Sequence, residues 1–216
     1  MEESIASVLP FLVGAAAIII SITIHEFSHG LAAYLQGDNT ARDAGRLTLN
    51  PIVHVDPIGT ILLPAILIIT RAPFLVGWAR PVPFNPLNLR DQRYGPLYVG
   101  LAGPLANAVL VVLSGVLLKI FLGPLDVTNF LIIFLSHLFV INIVLAVFNL
   151  IPIPPLDGSK ILAALLGPRF SSFSMKLELY GPYILLFILF VEFTIQPFIG
   201  QFIATIIDAV GRAFGI

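Results

Sequence analysis

No cysteine occurs in the 216 residues, which excludes disulfides, thiolate metal sites and cysteine nucleophiles. Any metal must therefore be held by His, Asp or Glu. Charge is scarce as well: Asp, Glu, Lys and Arg make up 11% of the chain, with a formal net charge of -1. Without a basic block to neutralise phosphates, a nucleic acid partner is not expected. The opening Met1-Glu2-Glu3 lacks the basic start and small-residue cleavage site of a secretory signal, so the first apolar tract is expected to remain in place. Internal repeats and low-complexity segments are missing, and there is no room for an appended soluble domain of ordinary size.

What the chain does have is apolar surface. Hydrophobic residues make up 58%, which points to an integral membrane protein. Four tracts are long enough for a hydrocarbon core that takes about 20 apolar residues in a helix: Ser4 to Tyr34, Gly95 to Leu118, Val127 to Ile151 and Leu179 to Ile207. Pro57 to Thr70 is shorter. The expected fold is an all-α polytopic membrane protein with about four full transmembrane helices, a short re-entrant or tilted segment broken near Pro64 and Pro73, and small extended, β-type membrane-associated elements. The extended elements are assigned to 45 to 51 (G-R-L-T-L-N-P) and to 77 to 86 (G-W-A-R-P-V-P-F-N-P), where alternation and prolines disfavour a helix.

Lys and Arg cluster in 36 to 94 and after Pro152, while the link between the second and third long tracts at 120 to 128 carries Asp126. Because short cytoplasmic loops carry the excess of positive charge, the N-terminus is expected outside, with 36 to 94 and the chain from Leu156 onward inside.

Into the first tract the chain inserts H-E-F-S-H, residues 25 to 29. On a helix, His25 and His29 stand four residues apart on one face and can share a metal. Glu26 then lies beside the open position, where a carboxylate can take a proton from water. Placing such residues at membrane depth without a partner costs about 2.5 kcal/mol or more for each charged type, so a merely incidental polar cluster is disfavoured. A catalytic zinc takes a third protein ligand, for which His54, His137, Asp157, Glu192 and the loop carboxylates are candidates. Asp157 stands out: in N-L-I-P-I-P-P-L-D-G, residues 149 to 158, three prolines stop one helix and Asp157 opens the next, at a position that also suits an N-cap. His137 reads as a packed or hydrogen-bonded residue of an apolar helix. Asn107 and Asn142 read as amides that join helices by hydrogen bonding. Glu192 interrupts the last tract and reads as protonated, paired or lining a water path.

With these motifs in this order, the chain resembles the site-2 protease family of intramembrane zinc metalloproteases. H-E-F-S-H, the 149 to 158 segment, G-R-L-T-L-N-P with His54 and Asp56-Pro57, G-W-A-R-P-V-P-F-N-P, and G-P-L-A-N at 103 to 107 carry the resemblance over about residues 20 to 165. It implies one Zn2+ per chain held by His25, His29 and Asp157, Glu26 as general base, and Asn149 positioning the scissile carbonyl or its oxyanion. His54 either serves the same end or caps a turn before Asp56-Pro57.

The expected organisation is one intramembrane metalloprotease domain over 1 to 216, with a catalytic core at about 8 to 165 and a C-terminal membrane helix region at about 178 to 210. The expected activity is peptide-bond hydrolysis in transmembrane segments of membrane protein substrates, in a prokaryotic cell membrane, with the site open to the cytoplasm. An opened substrate is expected to add as a strand along 45 to 51 or 77 to 86. The PDZ and CBS domains of many family members are not seen, leaving size exclusion or a separate regulatory membrane protein to choose substrates. The rival readings are another membrane zinc peptidase with a Glu as third ligand, or a metal-binding membrane protein or transporter that cleaves nothing. For the latter, matching broken helices in two halves would be expected.

Overall fold

The computed structural model describes residues 2 to 70 and 77 to 216. Four helices are long and apolar enough to cross a membrane: α1 (Glu2–Leu35), α4 (Gly95–Phe121), α5 (Phe130–Asn149) and α7 (Ser171–Thr194). Between them lie α2 (Thr40–Asp43), α3 (Leu63–Ile69) and α6 (Asp157–Leu166), and α8 (Phe198–Phe214) closes the chain.

The centre is a three-helix unit in which α1, α4 and α5 pack on one another, α6 lies against α4, and α8 against α5. Small residues make this close approach feasible, as is usual where lipid supplies no hydrophobic drive between helices. On α4, Gly100, Gly103, Ser114 and Gly115 are buried at the interface. At one end, Val111 and Leu118 of α4 meet Ile132, Leu135, Phe139 and Ile143 of α5, and Phe214 of α8 packs against them. Large apolar side chains elsewhere on the spans, such as Leu105, Val109, Val112 and Leu113, are exposed and face where lipid would be. Helix α7 stands at the edge, touching the turn before it and α8.

The fourth apolar tract is two helices. It breaks at Gln196 and Pro197, and the Glu192 carboxylate, buried near the end of α7, accepts the N–H groups of Ile199 and Gly200 at 2.8 and 2.7 Å. Two of the N–H groups that a helix start leaves unpaired are thus satisfied. Glu192 is a cap for α8.

Two other expectations change. Among the described residues there is no strand, so the small β elements are not supported. In 45 to 51, Asn50 instead accepts the Ile52 N–H and starts a tight turn at Pro51. In 77 to 85 the backbone runs without regular structure because its donors are already used: Trp78 N–H goes to Gly59 O, Arg80 N–H to His54 O, Val82 N–H to Glu26 Oε2 and Asn85 N–H to Asp38 Oδ2. Pro81, Pro83 and Pro86 have no N–H to offer a ladder. Pro64 stands in the first turn of α3 rather than at a break, and Pro73 lies outside the described residues. The helical run Pro57–Ile69 extends about 20 Å, short of the ~30 Å core. Since Trp78 bonds back to Gly59 at 3.2 Å, the excursion between them begins and ends in one place.

Candidate active site

Helices α1, α4 and α6 converge on one buried group. His25 and His29 project from α1, and Asp157 is the first residue of α6. The Nε2 atoms of the two histidines are 3.0 Å apart, and Asp157 Oδ2 is 3.1 Å from the first and 3.0 Å from the second. The expected N-cap role of Asp157 is not seen: Leu156 holds the cap position, with no side-chain cap bond. Its free oxygen, Oδ1, accepts Lys160 Nζ at 2.8 Å. Asp157 is brought into range by the tight join of α5 to α6, where a Cβ on Gly158 would collide with the Leu150 and Ile151 carbonyls.

The tautomers of both rings follow from their surroundings. His29 Nδ1 is 2.6 Å from the Val99 carbonyl, so it carries the proton. His25 Nδ1 is 2.5 Å from Asn107 Oδ1, Asn107 Nδ2 is 2.6 Å from Asn142 Oδ1, and Asn142 Nδ2 donates to the Leu138 carbonyl at 2.7 Å and to Ser21 Oγ at 2.8 Å. Ser21 in turn donates to the Ala17 carbonyl at 2.7 Å. A carbonyl only accepts, so Leu138 fixes which way Asn142 points. Asn142 then fixes Asn107, and Asn107 makes His25 Nδ1 a donor. With Nδ1 the donor on each ring, the two Nε2 atoms are left facing each other and a carboxylate oxygen.

Three potential ligand atoms this close fit a cation. The ring N–H groups anchored on a carbonyl and an amide are the arrangement that orients metal-binding histidines. Gly103 leaves the necessary room: a Cβ there would lie 2.5 Å from His25 Cε1 and from His29 Nε2. His25, His29 and Asp157 are all buried and form a group that could hold a metal ion.

Glu26, adjacent to His25, is half-buried, and its Oε2 accepts the Val82 N–H at 2.9 Å. The structure does not bring Asn149 or His54 to the group through any hydrogen bond among the described residues. Asn149 Nδ2 donates to the Leu145 carbonyl of its own helix at 3.0 Å. His54 is buried with Nε2 donating to the Thr48 carbonyl at 2.9 Å, and its Nδ1 has no partner. His137 bonds the Ile133 carbonyl within α5, as expected of a hydrogen-bonded helix residue. Lys160, Gly103 and the Val82 N–H were not foreseen; only the spacing of Lys160, three residues after Asp157, offered a signal.

Comparison with known proteins agrees with this geometry. The description Peptidase family M50 matches residues 123–191, which include Asp157. The chain is 41% identical over 196 residues to a Bacillus subtilis (strain 168) protein named "Putative zinc metalloprotease YwhC", covering 86% of this chain and 82% of that protein. The chain belongs to peptidase family M50. A second relative, "Putative zinc metalloprotease Rip2" of Mycolicibacterium smegmatis (strain ATCC 700084 / mc(2)155), is 34% identical over 160 residues, 74% of this chain and 59% of that protein. No solved structure matches the chain at the same stringency. Membership in M50 and the relatives' names support a metalloendopeptidase that uses Zn2+, in an integral, multi-pass membrane protein.

Proposed function

We propose that this M50 peptidase hydrolyses peptide bonds within transmembrane segments of membrane protein substrates, with His25, His29 and Asp157 as the zinc ligands and Glu26 as the general base. The observation that carries the reading is the depth of the acceptor group. His29 stands six residues before the end of α1, and Gly103 eight residues after the start of α4. These two ends lie side by side, since Gln36 Nε2 donates to the Gly95 carbonyl at 3.3 Å. At about 1.5 Å per residue the group is roughly 10 Å below that face.

Zn2+ bound there supplies Lewis acidity toward a carbonyl and a water molecule. The chain's own part is proton traffic and positioning. Glu26 takes a proton from the attacking water and returns it to the leaving amine as the C–N bond breaks. Asp157 is oriented by Lys160, and His25 and His29 by Asn107 and Val99. Asn149 and His54 make no hydrogen bond to the acceptor group among the described residues, and either would position the substrate carbonyl by contacting the substrate itself.

Addition of substrate as a strand along 77 to 86 is poorly served, because the donors of residues 78, 80 and 82 are occupied and residues 81 and 83 are prolines. The charge distribution supports the site opening to the cytoplasmic face, with the N-terminus outside. Bacterial relatives favour a prokaryotic cell membrane. A single-span transmembrane reporter and the purified protein in detergent test the reading. Cleavage by the wild type, lost in Glu26→Gln at equal zinc content, is expected; equal cleavage by both would sink the assignment of the base.

A further inference from the structure

Arg46 is 8% exposed and forms no ion pair among the described residues. A buried guanidinium without an anion is costly, yet each of its hydrogen bonds among the described residues goes to a backbone carbonyl. It donates through Nη1 to Val53 O and through Nη2 to Arg80 O and Pro81 O, the last two at 3.2 Å each. The Pro81 carbonyl and the Val82 N–H belong to one peptide unit, which is trans. In a trans unit the C=O and N–H point in opposite directions. Arg46 therefore grips one edge of this unit while its other edge donates to Glu26 Oε2 at 2.9 Å.

We propose that Arg46 is a positioning residue for the general base: it acts through the Pro81–Val82 peptide, whose N–H it aims at, and polarises toward, the Glu26 carboxylate. The peptide is thus sandwiched between a buried cation and an anion. Hydrogen bonds in such a chain strengthen one another, and one to an ionised acceptor is about twice as strong as a neutral one. The flanking sequence serves the same end. Pro81 and Pro83 have no N–H, so Val82 supplies the one donor of the P-V-P run. Val82 is buried against α1, close to Gly30, while the Arg80 N–H is tied to His54 O at 2.9 Å. Oε2 is held by the Val82 N–H, and Oε1 is left for the proton that hydrolysis moves.

This inference rests on Glu26 being the base, and its test keeps the two apart. The full chain, loaded with zinc in detergent, is compared as wild type, Arg46→Met, Arg46→Lys, Val82→Pro and the double variant Arg46→Met/Val82→Pro. Turnover of a transmembrane reporter, zinc content and the amide proton resonance of Val82 are measured. Arg46→Met is expected to lower kcat about 100-fold, the scale of loss from ~1 Å misplacement, with KM and zinc content unchanged, and Arg46→Lys to fall between. Val82→Pro removes the N–H itself and is expected to match Arg46→Met, and the double variant to be no worse than the poorer single one. Losses that multiply, or a zinc-replete Arg46→Met with wild-type kcat, overturn the proposal. If Arg46→Met loses zinc, Val82→Pro carries the test, since Arg46 keeps its acceptors. If no reporter is cleaved even by the wild type, the protease reading fails by itself and the Val82 resonance decides the contact. An upfield shift in both Glu26→Gln and Arg46→Met upholds the link, and no shift in either overturns it.

Discussion

At the residue scale, the site depends on amides and a glycine that hold no metal. Asn142 lies on α5, remote from the acceptor group, yet through Asn107 it determines which nitrogen of His25 carries the proton. Asn142→Leu leaves Asn107 free to rotate, so His25 loses its fixed tautomer. The expected result is a 10- to 100-fold weaker zinc affinity, the usual cost of losing an outer partner, with unchanged helical circular dichroism; competition with a chromogenic chelator measures it. Gly103→Ala acts more directly, since its Cβ would press on both imidazoles. Its expected effect is also loss of zinc, without repair by added metal at moderate excess. The grouping of His25, His29 and Asp157 is legible in the sequence because their spacing and helix breaks are local signals. The bonds of Asn107 and Asn142 were legible only as helix-joining contacts. Their polarity depends on the Leu138 carbonyl, which no local pattern announces.

At the element scale, the strap at 77 to 88 shows why local reading found the conformation and missed the structure. Prolines excluded a helix there correctly. Alternation and prolines point to extended backbone, but a strand also takes backbone partners, and here Glu26 and Asp38 accept the N–H groups from side chains. Asp38 is fully buried and accepts Thr40 N–H and Oγ1–H, the Asn85 N–H at 2.7 Å and Asn88 Nδ2 at 3.0 Å. Burial opposes its ionisation, but these donors, Thr40 first, outweigh burial and hold the carboxyl below its ordinary 3.8. A folded-state pKa below the unfolded one contributes stability that is fully present above the unfolded value and lost as pH falls through the folded one. Thermal unfolding in detergent is therefore expected to show a loss of stability below about pH 4 that Asp38→Asn abolishes. If Asp38→Asn keeps the acid slope, other carboxylates cause it. Helix α8 is hidden for a different reason. A continuous apolar tract read as one span, and only Gln196-Pro197 and the capping Glu192 mark the corner. Glu192→Ala strands the Ile199 and Gly200 N–H groups and is expected to lower stability by about 1 kcal/mol, the usual value of a cap, leaving zinc affinity unchanged.

At the scale of the whole molecule, three helices bring their functional residues to one depth because their ends are set level. The end of α1 and the start of α4 share a face through Gln36 and Gly95. Helix α5 runs back from the opposite face, and the proline-rich turn after it sets Asp157 beside His25 and His29. The proposal that this face is cytoplasmic rests on charge, and the cysteine-free sequence makes it open to direct measurement. Asp43, Gln92 and Asp126 are exposed, the first two on the side of Gln36 and the third between α4 and α5. Single cysteines at these positions give a chain with one thiol each. With a membrane-impermeant maleimide added to intact cells, Asp126→Cys is expected to react at once, and Asp43→Cys and Gln92→Cys only after permeabilisation. Such a pattern puts the short path from water to the acceptor group, roughly 10 Å, on the cytoplasmic side. The reverse pattern would turn the molecule over and require water and the freed peptide to pass through the opposite compartment, against the arginines of 36 to 94.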